Sequence, residues 1–206
     1  MTTNIASSFL NRTLAVLAAL MTAVLVSGCG VNNIPTYENA AKASWAEVLN
    51  QYKRRSDLIP NLVDTVKGFA EQEKSVLTEV VEARAKATQF QIPADILNNP
   101  DAMKQFQDAQ NTLGGALGRL LAVIERYPDI KSGQNFIALQ SELAGTENRI
   151  AIARRDYIEA VRVYNTELVT IPGRWWKSFM YPASKEMATF DISAAEQAAP
   201  KVDFKN

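Results

Sequence analysis

Gln51–Ala87 reads QYKRRSDLIPNLVDTVKGFAEQEKSVLTEVVEARAKA, and its spacing decides the fold. Started at Trp45, one rhythm runs through Val48, Tyr52, Arg55, Ile59, Leu62, Val66, Phe69, Glu73, Val76, Val80, Ala83 and Ala87. Alternating steps of three and four put these positions on one side of an α-helix. Leu49, Val63, Ala70 and Leu77 widen the stripe, which suits a helix covered by more than one neighbour. The reading predicts one long helix from Thr36 or Tyr37 to Gln89, roughly 80 Å at the usual rise per residue. Pro60 falls on its outer side and predicts a bend rather than a break, because the register passes through it unshifted. The alternative is two helices parted at Ser56–Asp57.

Later segments repeat the pattern. Asn99-Pro100-Asp101 is a helix start, with a capping side chain, a proline in the first turn and an acid at the positive end. The helix it opens carries Phe106, Ala109, Leu113, Ala116, Leu120, Val123 and Tyr127. Gly114, Gly115 and Gly118 lie inside it; close packing against a bulky side chain of the same chain is the expectation there, with a dimer contact of spaced small residues as the alternative. Tyr127-Pro128 ends that helix. Ser132 is the expected cap of the next, whose stripe is Phe136, Leu139, Leu143, Thr146, Ile150, Ala153, Tyr157, Ala160 and Tyr164. Short connections make the rods antiparallel. The expected fold is all-α: an antiparallel up-down bundle of three long helices with a short helical segment at the carboxy terminus.

The amino terminus differs. Residues 1–28 hold an apolar core, Thr13–Leu25, of the length of a secretory signal. Val26-Ser27-Gly28-Cys29 resembles the lipobox of bacterial lipoproteins, with the only cysteine of the chain at the position where acylation occurs. Lipidation at Cys29 is therefore expected, with 29–35 as a tether, 36–190 as the bundle domain and 191–206 as a mobile tail. Competing readings are an ordinary cysteine near a cleavage site, a buried helix, or a retained span, although the apolar run falls short of the roughly 20 residues a span needs. Gly30 rather than Asp after the cysteine points to the outer membrane in a cell that has one.

Composition excludes several activities. The 206 residues carry 22 basic and 22 acidic side chains and no histidine. A balanced charge is not the basic surface that nucleic-acid binding needs. Without histidine there is no Ser-His or Cys-His pair and no Glu-x-x-His metal motif, and one cysteine forms no intramolecular disulfide. Acid-only metal sites at Glu79, Glu82 or Glu142 are the remote remainder. No phosphate loop appears, and no cofactor is implied.

Arg54–Ala70, RRSDLIPNLVDTVKGFA, and Glu147–Asn165, ENRIAIARRDYIEAVRVYN, closely resemble the bacterial LemA family, as do ERYPDIK (Glu125–Lys131) and NFIALQSEL (Asn135–Leu143). The likeness covers about Tyr37 to Phe190. It implies a compact helical bundle, four-helix in the usual description, held at a membrane by its amino terminus. Many members use an uncleaved span, whereas this chain has a lipobox. The resemblance transfers no catalytic residue.

Two groups of residues are functional candidates. Arg55, Asn61, Glu73, Arg84, Glu147, Asn148 and Arg154 interrupt or flank the seams; they read either as a polar pocket between helices or as polar groups that pair and fix register. Trp175, Trp176 and Phe179, next to Arg174 and Lys177, read as an interfacial anchor, a partner contact or a cap on the bundle end. Counting three rods puts that aromatic segment at the end far from the anchor. The functional expectation is a non-enzymatic envelope scaffold or adaptor, with protein partners and an oligomeric state that the sequence does not name. The alternative is a small-ligand binder or enzyme using the inter-helical polar positions, and a weaker idea is membrane shaping through self-association.

Overall fold

The computed structural model describes residues 12–18, 21, 30–67 and 70–190; the side chains of 70–72 lie outside that description. Every regular element among these residues is helical. Four long helices carry the fold: α1 (Asn33–Val66), α2 (Ala70–Gln89), α3 (Pro100–Ile124) and α5 (Gln134–Val169). A single turn, α4 (Pro128–Lys131), precedes α5, and a short helix, α6 (Gly173–Phe179), follows it.

The all-helical antiparallel bundle stands, but the single first rod does not. Helix α1 does run through Pro60, which faces solvent as its place in the register requires. It ends at Val66, and the chain then doubles back as α2. Arg84 reaches Ser56 across the pair, and Glu73 keeps non-helical angles (φ −121°, ψ 27°) near the turn. The rod is folded in two because a straight one would leave half its stripe without cover. Folded, Leu77, Val80, Ala83 and Ala87 of α2 join the same core as Ile59, Leu62 and Val66 of α1. Each buried leucine, isoleucine or valine among them is worth about 1.5–3 kcal/mol, enough to offset the ordering of a few connecting residues. Phe69, assigned to the stripe, lies outside the described residues.

Pairing across the bundle is antiparallel. Asn33 meets Glu167 and Arg54 meets Glu142 along α1 and α5; Glu79 of α2 meets Arg119 of α3, and Glu73 meets Arg126 just past the end of α3. Asn99 caps α3 by accepting the Ala102 amide at 3.1 Å. Ser132 does not cap α5: Gly133 holds that position, and the Ser132 hydroxyl donates to the Asp129 carbonyl. After α6 the chain returns along the bundle without regular structure. Met187 and Phe190 enter the core, where Phe190 packs on Trp45 and Tyr157.

The glycines of α3 are not in close contacts. A β-carbon on Gly118 would meet nothing within 4 Å, and one on Gly115 would touch only the tip of Arg119. On Gly114 it would lie 3.7 Å from Arg55 Nη1, an ordinary contact distance. The expected close packing is absent there because α3 turns these positions outward or toward a flexible side chain.

Four rods instead of three reverse one consequence. Helix α5 ends beside the start of α1, so α6 sits at the bundle end where the chain emerges from its amino-terminal segment. The expectation that Arg174–Tyr181 lies at the far end is overturned.

Candidate functional site

The core has two apolar halves with a polar layer between them. Trp45, Tyr52, Phe106, Ile150 and Tyr157 belong to one half; Ile59, Leu113 and Leu143 belong to the other. At the level between them lie Arg55, Gln110 and Thr146, all buried. Arg55 Nη2 donates to the Gln110 side-chain oxygen at 2.7 Å and to its backbone carbonyl at 3.0 Å. Nη1 donates to Glu147 Oε1 at 3.0 Å, and the guanidinium lies 5.1 Å from the Tyr52 ring centroid. A buried cation is tolerable only when its donors are taken, and here both terminal nitrogens meet acceptors while the ring covers the guanidinium; Nε finds no partner within the chain.

Arg154 lies about two turns along α5 from Glu147, with its guanidinium 4.6 Å from the Phe190 ring centroid. Burial pushes the Tyr52 phenol above its ordinary pKa, and the cations Arg154 and Arg55 pull the other way. Glu73 lies at the far end of α2, accepting from Arg126 and the Tyr127 hydroxyl. Arg84 holds the α1–α2 pair through Nε and Ser56 O at 2.9 Å. Asn61 and Asn148 face solvent. The structure therefore brings Arg55, Glu147 and Arg154 into one neighbourhood and leaves Asn61, Glu73 and Asn148 outside it. Glu79 and Glu142 are paired with Arg119 and Arg54, and no cluster of metal-ligating side chains occurs among the described residues.

Gln110 was absent from the sequence-derived candidates. The buried face of α3 steps through Met103, Phe106, Gln110, Leu113, Leu117, Leu120 and Ile124. A glutamine in line with those residues is the signal: the position is apolar elsewhere on the seam, so its amide must serve a buried partner.

Beside this layer, between α1, α2 and the first turns of α3, opens a cleft of about 400 Å³. Leu49, Phe90 and Phe106 give it apolar walls; its polar lining includes Asn50, Lys53, Ser56, Asp57, Arg84 and Gln110, with Lys53 paired to Asp57. The Ser56 hydroxyl is buried and without a partner in the chain.

At the amino-terminal end, Gly30 adopts φ +100° and lies against Asn33 and Pro172. Trp176 packs partly on the core, whereas Trp175 and Phe179 project outward. Cys29 lies outside the described residues, and among those described no helix is long and apolar enough to cross a membrane.

The LemA family profile matches residues 44–204. Magnetosome protein MamQ 2 of Paramagnetospirillum magneticum (strain AMB-1) is 30% identical over 151 residues, covering 66% of this chain and 55% of that protein. Magnetosome protein MamQ of Magnetospirillum gryphiswaldense (strain MSR-1) is 28% identical over 156 residues, covering 68% and 57%. The chain thus spans about half the length of the curated relatives it matches.

Proposed function

We propose that this chain, which belongs to the LemA family, is a membrane-associated, non-enzymatic component of the cell envelope, held by an acyl group on Cys29 and acting as a scaffold or adaptor. The observation that carries the reading is the closure of the polar layer. Both terminal nitrogens of Arg55 are taken by Gln110 and Glu147, so the buried charge serves helix register and not an incoming substrate. The sequence before Gly30 supports the anchor. The relatives are named magnetosome proteins, which fits a part in a larger assembly. Two or three acyl chains, at about 0.8 kcal/mol per buried methylene, would hold the protein firmly.

Metabolic labelling with an alkynyl fatty acid tests the anchor. Label should enter the wild-type chain and be lost in Cys29→Ser, which should also leave the membrane fraction in its processed form. Equal labelling of both would remove lipidation. Crosslinking in cells from the solvent-facing Ile152 and Ile158 of α5 tests the adaptor role. Discrete, reproducible protein adducts are expected, and a strictly solitary chain would sink it.

The cleft favours a second reading, a small-ligand binder. Ser56, Asp57 and Arg84 suit a small polar molecule that offers both a donor and an acceptor, with an apolar portion against Phe90 and Phe106. Native mass spectrometry of the full chain, released gently from membranes, should then show a bound mass. A clean unliganded spectrum removes this reading.

A further inference from the structure

We propose that the segment Val169–Met180 is a second membrane contact, which lays the amino-terminal end of the bundle onto an anionic lipid surface. The proposal rests on the reading of the chain as membrane-tethered and adds an orientation to it. Its basis is the four-rod topology. Asn33 Nδ2 donates to Glu167 Oε1 at 3.2 Å, so the last turns of α5 lie beside the first turn of α1. Gly30, the residue that follows Cys29, faces Pro172. The aromatic segment and the tether therefore leave the bundle at the same end.

What projects there is unlike the rest of the surface. Val169, Ile171, Trp175, Phe179 and Met180 are 55%, 65%, 56%, 82% and 55% exposed. Ile171, Trp175 and Phe179 recur at steps of four. Large apolar side chains scattered singly over a surface need no explanation, but a contiguous group of them does. The charge is equally one-sided. Between Glu167 and Glu186 the sequence has Arg174, Lys177 and Lys185 and no acid, in a chain whose charges balance overall. Neither Arg174 nor Lys177 makes an ion pair among the described residues.

These features select lipid over protein as the occupant. Phe179 is the most exposed large apolar side chain described. Tryptophan beside lysine and arginine, with aliphatic side chains between them, is the composition that settles at the boundary of headgroups and acyl chains. Cations that make no ion pair with the chain's own carboxylates are attracted to anionic headgroups. A tether at the same end raises the local concentration of membrane, so even a weak contact is occupied. Two points of attachment would fix the bundle's attitude. Helix α1 has 34 residues, so its carboxy-terminal end would stand roughly 50 Å away from the attachment end.

The test uses the full acylated chain in vesicles of phosphatidylethanolamine and phosphatidylglycerol, floated to isolate bound protein. Brominated phospholipids should quench its tryptophan emission. Trp175→Phe should lose most of that quenching, because Trp45 is buried in the core and Trp176 half-buried. Phe179→Ser with Ile171→Ser should reduce it with Trp175 intact, as should replacing phosphatidylglycerol by phosphatidylcholine. Protein that floats while Trp175 stays open to acrylamide and unquenched by bromolipid would overturn the contact and leave the tether standing. Failure to float at all would end both. Shielding of Trp175 that follows protein concentration and ignores bromolipid would assign the surface to a second copy and overturn the lipid assignment.

Discussion

The side-chain Nε–H of Arg84 donates at 2.9 Å to the backbone carbonyl of Ser56, the acceptor that Pro60 leaves without a helical donor. In an α-helix the carbonyl of residue 56 would take the amide of residue 60, and proline has none. Arg84, on the returning helix, supplies the missing donor. A proline inside a long helix and an arginine on its neighbour thus form one device that pins α2 to α1.

That relationship predicts a coupling. Arg84→Met should destabilise the bundle by about 1–3 kcal/mol, the range for orphaning a buried acceptor. In a Pro60→Ala background the same change should cost clearly less, because the substituted residue regains an amide and restores the helical donor to Ser56. Urea unfolding of the wild type, both single variants and the double variant measures the difference. Strict additivity would show that the two sites are independent.

Arg55 and Gln110 give a second cycle. Arg55→Met should cost about 2 kcal/mol, since it leaves the Gln110 amide oxygen buried without a donor. Glu147→Gln should cost less than about 1 kcal/mol, because the Glu147 side chain is 49% exposed and water replaces its partner. Arg55→Met with Gln110→Leu should cost less than the sum of the two, since no polar orphan remains. Denaturant midpoints read all three.

The glycines of α3 and of the α5–α6 corner should behave oppositely. Gly118→Ala meets nothing within 4 Å and should stabilise by about 1 kcal/mol through helix propensity. A β-carbon on Gly173 would overlap the Glu167 carbonyl oxygen and crowd its carboxylate, so the corner must shift. Gly173→Ala should cost about 1–3 kcal/mol, the usual range for overpacking. At this chain length 1 kcal/mol moves Tm by about 2–4 °C, which scanning calorimetry resolves. A loss of stability in Gly118→Ala would imply that something packs on that face in solution.

How far the sequence could be read is clear at two places. The seams of α1, α3 and α5 were visible because burial follows a coil-like period of alternating threes and fours, and Trp45, Tyr52, Ile59, Leu113, Ile150 and Tyr157 are all core. The reversal between α1 and α2 was hidden by the same periodicity. A short turn can return the chain to the core in phase, so Val66, Val76 and Val80 look like successive positions on one rod. The stop signal was Gly68, just past the last buried residue of α1. A stop there makes the rods four and places Trp175 and Phe179 at the amino-terminal end of the bundle. Among the candidate polar residues, Arg55 and Glu147 stood out because charge interrupted or flanked apolar stripes. Gln110 did not, because a neutral amide on a seam reads as noise until its partner is known.

Alkaline pH should destabilise the bundle through its buried tyrosines. Burial raises the Tyr157 phenol above the ordinary 10.0, and its hydroxyl donates to the Ala188 carbonyl at 2.7 Å. Burial also raises Tyr52 and Tyr164. The folded chain therefore holds these protons to higher pH than the unfolded chain does. Their contribution is complete below the unfolded value and is lost as pH climbs past it toward the folded values. Tyr157→Phe should be less stable by about 1 kcal/mol at neutral pH, for the lost hydrogen bond. Above the ordinary tyrosine value its stability should fall less steeply than that of the wild type. Urea midpoints across that range decide, with absorbance at the tyrosinate band following ionisation. Parallel curves for the two proteins would show that Tyr157 does not titrate with unfolding.

The returning segment after α6 should be released by one side chain. Asn165 Oδ1 accepts the Met187 amide at 2.9 Å, and Asn165 Nδ2 donates to the Met187 carbonyl at the same distance. This is the pairing a neighbouring strand would offer, supplied by a single amide. It sets Met187 and Phe190 into the core and aligns the Ala188 amide with the Leu97 carbonyl. Asn165→Ala removes both bonds, and Asn165→Asp keeps an acceptor for the amide while turning a carboxylate oxygen toward the carbonyl. Both should speed hydrogen exchange at Met187 and Ala188 while the amides of α1 and α5 stay protected, because the four rods keep their own contacts. The aspartate should be the worse, since repulsion adds to the missing donor. Trp45, which stacks on Phe190 with ring centroids 5.9 Å apart, should shift its emission to the red as the segment leaves. Unchanged protection at Met187 in both variants would show that apolar burial alone holds the segment down.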